Sequence, residues 1–334
     1  MGFGAATISG VNTAPKVSIL VPCFNVERFL PQCLESLINQ TLKEIEIICI
    51  NDGSTDSTLA IIQNYAAQDA RIVVIDKQNS GYGASMNAGL ACAKGEYVGI
   101  TESDDFASRS MFKTLYSWAH KKDCDLVKSN YFEYEAGRDH RKKTFAGKPY
   151  RKVFDPACYP DALCTVPTIW AAIYRRSLLE SYGVKFRETP GASFQDTAFV
   201  LKCWFCARRV LLLPQALLHY RIDNPDSSVK SSTKIFEVCD EFEAADHFMR
   251  SDPPRRARFT DIFFVHMFNT YRWNYNRVSR EFHEPLAKRM AEDFAQAQKK
   301  GELKRSLFGE DSWALLQNLL GDSQAFASKY GDGF

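Results

Sequence analysis

Four short apolar runs, each closed by a loop of small and polar residues, constrain the fold more than any single residue does. They read KVSILVPCF, EIEIICIN, RIVVID and EYVGIT, at residues 16–24, 44–51, 71–76 and 96–101. Their hydrophobic residues are consecutive rather than alternating, which suits strands buried on both faces of a parallel sheet. Helical stretches lie between them. The first carries Phe29, Leu30, Cys33, Leu34, Leu37 and Ile38 along one stripe, with Asn25 as its expected cap and Pro31 in the first turn, where a missing N–H is tolerated. The second opens at DGSTDS, with Ser54 or Thr55 as its expected cap. Such alternation predicts an α/β fold with a mostly parallel central sheet flanked by helices. Active groups then belong beyond the carboxyl ends of the strands, where PCFN, NDGS, NSGYG and ESDD should gather.

After about Ser108 the pattern loosens. A helix (MFKTLYSWAHKK), a strand (DLVKSNYFEY) and a basic, exposed segment (GRDHRKKTFAGKPYRK) precede the core-like TIWAAIY and a helix around QDTAFVLKCWFCA. RRVLLLP and ALLHYR read as two short strands. Beyond Lys234 only helical patterns appear, after a linker-like SVKSSTK. The expected organisation is a flexible tail at 1–14, an α/β domain at 15–233 and a C-terminal helical region at 234–334.

With 334 residues, 45% of them hydrophobic, the chain can bury a full core, and 42 Lys plus Arg against 40 Asp plus Glu give no global field suited to nucleic acid. No apolar run is long enough to span a bilayer, and MGFGAATISGVNTAPK lacks the basic start and apolar core of a signal peptide, so a cytoplasmic location is expected. The ten cysteines fit it, most lying in apolar segments; the lone pair Cys203 and Cys206 falls on a predicted helix and reads as core packing.

The fourth run ends in Glu102, Asp104 and Asp105. Carboxylates this close repel unless protons, cations or water screen them, so the cluster suggests a site for a positive ion, the plainer alternative being a solvated turn.

VSILVPCFNVERFLPQCLESLINQTL, EIEIICINDGSTDST, NSGYGASMNAGLACAKGEYVGITESDD and SFQDTAFV, in this order over residues 15 to 230, resemble the inverting glycosyltransferases of family 2. The resemblance implies the GT-A, Rossmann-like fold, a nucleotide-sugar donor, a divalent cofactor (Mn²⁺ or Mg²⁺), and a glycan or lipid-linked oligosaccharide acceptor in cell-surface polysaccharide assembly at the inner membrane face. It assigns Asp104 to the metal, with Glu102 standing where Asp is more usual and Asp105 in reserve as a ribose contact or loop holder. Asp52 is implied as the reader of the nucleotide base, favouring UDP, and Asn51 replaces the first Asp of that motif. Pro22, Phe24 and Glu27 would lie along the base and ribose, Gly81 would let the loop approach the donor, and Asn87 and Ser103 complete the donor contacts. Met86 stands where the family often has Arg.

Asp196 is implied as the base that takes the proton from the acceptor hydroxyl, with Gln195 in place of the usual Glu. Helix capping is the plainer alternative for an acid at that position, and both roles could hold at once. Trp170 is either a platform for the acceptor sugar or a core aromatic. In HYRIDNPDSS, His219 is assigned to the metal and Arg221 to a phosphate, with Asn224 and Ser228 nearby. The aromatic, Arg-bearing segment at 259–280 reads as a core helix, the sharper alternative being a peripheral membrane or homodimer contact. A competing function is a non-catalytic nucleotide-sugar or glycan-binding module. A dinucleotide enzyme is set aside because the first strand runs into PCFNVE rather than GxGxxG.

Overall fold

The computed structural model describes residues 14–164, 168–225, 234–331 and 333–334. The tail expected at 1–14, the linker-like 228–234 and Ser228 therefore lie almost wholly outside the described residues.

The apolar runs form β1 (Val17–Cys23), β2 (Ile45–Asp52), β3 (Ile72–Lys77) and β4 (Tyr97–Ile100), joined through α1 (Leu30–Ile38), α2 (Thr58–Gln68) and α3 (Tyr82–Cys92). All seven residues of β1 and all eight of β2 are buried, as consecutive apolar residues require of central parallel strands. The chain continues through β5 (Phe106–Ala107), α4 (Met111–Lys122), β6 (Leu126–Glu135), β7 (Arg138–Lys142), β8 (Val153–Phe154), β9 (Ala172–Arg175), α5 (Arg176–Ser181), α6 (Gln195–Cys206) and β10 (Val210–Arg221). The sheet order is β3-β2-β1-β4-β9-β6-β10-β5, with β7 on β6 and β8 on β10. β9 runs antiparallel to both β4 and β6, so the sheet is mixed past its first four strands. This is the α/β architecture that the alternation of apolar runs predicts.

Three local expectations change. RRVLLLP and ALLHYR form one strand, β10, whose ladder to β6 shifts register on either side of Ala216, next to Pro214, which cannot donate to a ladder. Asn25 does not cap α1: it sits at φ +51 and its side chain accepts from the Thr55 amide at 2.8 Å. Nor does Ser54 or Thr55 cap α2; Asp56 accepts from the Thr58 amide at 2.9 Å instead.

The C-terminal residues form α7 (Glu237–Met249), α8 (Pro253–Arg256), α9 (Thr260–Tyr275), α10 (His283–Lys299), α11 (Arg305–Phe308), α12 (Glu310–Gly321) and α13 (Ser323–Lys329). In the aromatic segment Phe259, Phe263, Phe264, Phe268, Tyr271 and Tyr275 are buried, while Trp273 is 56% exposed. That segment is thus core rather than a continuous surface stripe. Among the described residues no helix is long and apolar enough to cross a membrane. Cys203 and Cys206 are buried thiols on α6.

Candidate active site

The first two loops after their strands lock to each other. The Asn25 amide donates to Ser54 Oγ at 3.0 Å, the Glu27 amide to Asp56 Oδ2 at 3.1 Å, and the Ser57 amide returns to Glu27 Oε2 at 2.8 Å. Glu27 thus places its acid at the start of α2. Pro22 is buried in β1 opposite Ile50, and Phe24, just past the end of that strand, is 48% exposed.

Asp52 ends β2 and is 5% exposed. It accepts from the Ser80 amide at 2.9 Å and the Gly81 amide at 3.0 Å, and it pairs with Lys77. Its carboxylate therefore holds the NSGYG loop in place. That loop in turn is pressed against residues 187–191 rather than left open for a donor. A Cβ on Gly83 would stand 1.7 Å from the Arg187 carbonyl oxygen, and one on Gly81, at φ +92, would stand 2.3 Å from that of Thr189. Asn87 makes the same contact from the next turn: it donates to the Phe186 carbonyl at 3.0 Å and to Glu188 at 2.9 Å, and accepts from the Phe186 amide at 3.0 Å. Gly81 and Asn87, expected at the donor, join two pieces of backbone in this structure. The cause is steric: a loop this close to a second main chain has no room for a Cβ.

The acidic loop follows β4. Tyr82 donates to Glu102 Oε1 at 2.7 Å, and burial pushes the Glu102 carboxyl up to about 8, with Asp104 and Asp196 adding to the rise against the Tyr82 hydrogen bond. Ser103 is buried. Asp105 is raised well above the ordinary carboxylate range by burial and by Asp104; its Oδ1 accepts from the Arg221 amide at 2.8 Å, and its Oδ2 is buried without a hydrogen-bond partner. Asn224 donates to Asp104 Oδ2 at 2.7 Å. Two carboxyls raised beside Asp104, one of them with an orphaned buried oxygen, are the donor set that a hard divalent cation would relieve. Among the described residues no three His, Cys, Asp or Glu side chains converge on one point, so the remaining ligands would have to come from a substrate such as a diphosphate.

Two residues assigned to this loop do other work. His219, assigned to the metal, is engaged by other groups: its Nδ1 meets Asp139 at 2.8 Å and its Nε2 meets Ser108 at 3.1 Å, while its ring stacks between Phe106 and Phe132. Both ring nitrogens are thus engaged within the protein. Arg221, 8% exposed, donates through Nε to the Asp104 carbonyl at 2.9 Å and through a terminal nitrogen to Gln32 at 2.5 Å, and its guanidinium lies against Phe29 and Tyr134. It braces the acidic loop from behind instead of presenting itself to a phosphate.

Asp196 occupies the first turn of α6, directly after Phe194, a non-glycine residue at φ +59. Burial pushes its carboxyl up to about 6, against the Thr197 and Asp196 amides and Lys128, which pull it down. That places its titration where a general base works near neutral pH. Gln195 does not face an acceptor: it is 2% exposed, accepts from the Ser193 amide at 2.5 Å and donates to Thr189 and Gly191, holding the loop before α6. Trp170, 8% exposed, stacks on Tyr220 at 5.0 Å and meets Tyr131 edge-on at 4.8 Å, so the core alternative describes it.

Sequence reasoning missed Tyr82, the partner of Glu102, and Lys128, a buried lysine in β6 whose charge acts on Asp196. Lys128 had a signal, as the single charge among the first buried residues of DLVKSNYF; Tyr82 had none beyond its place in the glycine-rich loop.

Residues 18–183 match the model for glycosyl transferase family 2. The chain is 33% identical over 229 residues to a Bacillus subtilis protein described as uncharacterized glycosyltransferase EpsJ, covering 64% of this chain and 62% of that relative's length. Its fold is similar to that of Staphylococcus aureus TarS residues 1–349 crystallised with UDP-GlcNAc, with a TM-score of 0.76, 20% identity and coverage of 95% of this chain and 90% of the other. A mannosyltransferase from Pyrobaculum calidifontis, in complex with GDP-Man and Mn²⁺, aligns at a TM-score of 0.50 with 16% identity over 96% of this chain and 87% of the other. The family match, the relatives and the mixed sheet with its acidic loop after β4 agree: the chain belongs to glycosyl transferase family 2 and has the GT-A fold.

Proposed function

We propose that this chain transfers a glycosyl group from a nucleotide sugar, a UDP-sugar in the first instance, to a hydroxyl of a glycan or lipid-linked oligosaccharide, with inversion at the anomeric carbon. The observation that carries the reading is the pairing of a raised carboxyl at Asp196 with an acidic, cation-seeking loop at Glu102–Asp105. Asp196 takes the proton of the acceptor hydroxyl as its oxygen bonds to the anomeric carbon and the bond to the nucleotide diphosphate breaks. Asp104 and the orphaned Oδ2 of Asp105 would hold Mn²⁺ or Mg²⁺, which supplies charge neutralisation to the diphosphate when bound. Glu102, kept largely protonated by burial and engaged by Tyr82, suits a hydrogen bond to a hydroxyl better than a metal bond. The exposed Phe24 ring suits stacking on the base, and Asp52 shapes that end through the Ser80 and Gly81 amides.

The UDP preference is supported by the UDP-GlcNAc complex of TarS, and the cation by the Mn²⁺ complex of the mannosyltransferase. The acceptor class, the setting in cell-surface polysaccharide assembly at the cytoplasmic membrane face, and the division into an α/β domain at 15–233 and a helical region at 234–334 rest on the sequence resemblance and pattern. The test is a panel of UDP-, GDP- and dTDP-sugars assayed for nucleotide release with Mn²⁺, Mg²⁺ and EDTA, beside calorimetric binding of free nucleotides. Metal-dependent release from a UDP-sugar is expected. Nucleotide binding without release, under every metal and with candidate acceptors present, would favour a binding module instead.

A further inference from the structure

The carbonyl oxygen of Gly191 is held from two sides. It accepts from the Tyr82 main-chain amide at 2.9 Å and from the Gln195 side-chain amide at 3.2 Å. The first donor belongs to the NSGYG loop, where the preceding residue, Gly81, gives its amide to Asp52 at 3.0 Å; the second belongs to the first turn of α6, next to Asp196. One carbonyl therefore joins the loop after β3 to the helix that carries the candidate base. The two backbones are also close: Gly191 stands at φ +74, and a Cβ on Gly81 would lie 2.9 Å from the Gly191 nitrogen.

The partners of Gln195 fix which end of its amide points where. The Ser193 main-chain nitrogen only donates, so the Gln195 oxygen faces it, at 2.5 Å; the Gly191 carbonyl only accepts, so the Gln195 nitrogen faces that one. The second proton of this nitrogen goes to Thr189 Oγ1 at 2.8 Å. Gln195 is 2% exposed, so water is not at hand to replace a lost partner. A carboxylate of the same shape accepts from Ser193 but sets its other oxygen against the Gly191 oxygen, which offers no proton.

We infer that Gln195 is a positioning residue for Asp196: its neutral amide clamps residues 189–193 to the start of α6 and, through the Gly191 carbonyl, sets that start against Tyr82 of the NSGYG loop. This rests on Asp196 being the base. Tyr82 extends the clamp to the acidic loop, because its hydroxyl donates to Glu102 at 2.7 Å. The start of the base helix, the glycine-rich loop and the acidic loop are thus one hydrogen-bonded unit, in which Gln195 supplies the link to α6.

Two measurements test the clamp in the full chain, on wild type, Gln195→Met, Gln195→Glu and Asp196→Asn. Methionine keeps the length of the side chain and loses its amide hydrogen bonds without adding a charge. In the first measurement, kcat for UDP release from UDP-GlcNAc, or from the best donor of the panel, is set beside the affinity for UDP with Mn²⁺. Both Gln195 variants should lose roughly 10- to 100-fold in kcat, the scale on which a small misplacement of a reacting group acts, and bind UDP within about threefold of wild type. The second measurement is amide hydrogen exchange, which needs no turnover. In Gln195→Met the segments at 80–85 and 189–193 should both exchange roughly fivefold faster, the scale set by one lost hydrogen bond. Wild-type kcat in Gln195→Met overturns the inference. So does a fall confined to Gln195→Glu, which would be the effect of a buried charge, or a parallel loss of UDP affinity in Gln195→Met, which would make the role a general structural one. Faster exchange confined to 189–193 overturns the tie to the NSGYG loop. Full turnover by Asp196→Asn overturns the base assignment, and the role of Gln195 with it; loss of turnover in Asp196→Asn beside unimpaired Gln195 variants overturns the role of Gln195 alone.

Discussion

Arg221 holds two consecutive residues of the acidic loop: its amide donates to Asp105 Oδ1 at 2.8 Å and its guanidinium Nε to the Asp104 carbonyl at 2.9 Å. The guanidinium also reaches Gln32 of α1 and packs against Phe29 and Tyr134, so one side chain joins the loop to α1 and β6. Lysine cannot copy that planar fork. Arg221→Lys should therefore leave the fold intact yet weaken Mn²⁺-dependent UDP binding roughly 10- to 100-fold, the usual cost of losing a residue that orients a metal ligand. Calorimetry with UDP and Mn²⁺ decides; an unchanged affinity would mean that the loop holds its shape without the arginine.

His219 supplies the opposite expectation. It stacks between Phe106 and Phe132 and is bonded at both nitrogens, so its work is to fill the space between β5 and β6. His219→Phe keeps the stack and loses two hydrogen bonds, costing about 1–2 kcal/mol of stability in total. The Mn²⁺ concentration needed for half-maximal donor hydrolysis should not move. A large rise in that concentration would restore histidine to the metal site.

Asp196 sets a pH dependence whose sign differs for activity and stability. Its carboxyl is raised to about 6, so kcat/KM should fall as pH drops through 6 and the base becomes protonated. Asp196→Asn should lower kcat by about 10²–10⁴-fold, the usual share of a general base, with nucleotide affinity little changed. For stability, a group whose folded value lies above its unfolded value favours the fold below the unfolded value and loses that contribution as pH rises through the folded one. Asp196→Asn should therefore melt higher than wild type at pH 7.5 and show a smaller advantage at pH 4.5. Equal melting differences at the two pH values would contradict the raised carboxyl.

What the sequence made legible follows from the range of each interaction. Consecutive apolar residues in β1 and β2 report burial on both faces, a property of the run itself, so the strands and the edge they share could be read directly. The carboxylates at Glu102, Asp104, Asp105 and Asp196 could be read because their spacing from strand and helix is local. Their neighbours could not. Asn87 contacts Phe186 about a hundred residues on, and Arg221 reaches back to Asp104 and Asp105 over a similar separation. Such contacts give these residues a part in holding loops, and no motif spacing records them. The same limit explains β10, where a bulge beside Pro214 keeps one strand continuous through a sequence that reads as two.

The tight approach of α3 to residues 186–191 gives a contrast between two glycines. A methyl on Gly83 would overlap the Arg187 carbonyl group, and backbone cannot turn aside as a side chain can. Gly83→Ala should destabilise by about 3 kcal/mol or more, in the range of overpacked sites, and should lose nucleotide binding with it. Gly321, at the end of α12, has nothing within 4 Å of an added methyl, and Gly321→Ala should be neutral or stabilise by up to about 1 kcal/mol. Urea titration of both variants makes the comparison, and a tolerated Gly83→Ala would show that the two backbones can separate.

The same segment ties the NSGYG loop to the C-terminal helices. Arg187 pairs with Glu241 of α7 at 3.0 Å, and Glu241 is fully buried, with one carboxylate oxygen lacking a hydrogen-bond partner. Burial raises Glu241 to about 7, opposed by Arg187 and Lys202 and reinforced by Asp196. Arg187→Ala removes the larger of the two opposing influences and raises Glu241 further. Below pH 5 the carboxyl is neutral with or without the arginine, so the electrostatic part of the loss is small there. Above pH 7 the variant must either keep an unpaired charge buried or hold a proton against the solvent. The destabilisation should thus grow from pH 5 to pH 8, approaching the roughly 3–5 kcal/mol that follows from breaking a buried pair. Arg187→Met combined with Glu241→Leu should recover most of it, because an apolar pair of similar volume leaves no charge to compensate. Thermal unfolding at the two pH values provides the measurement. A loss of the same size at both would assign Arg187 a packing role and leave Glu241 without electrostatic weight.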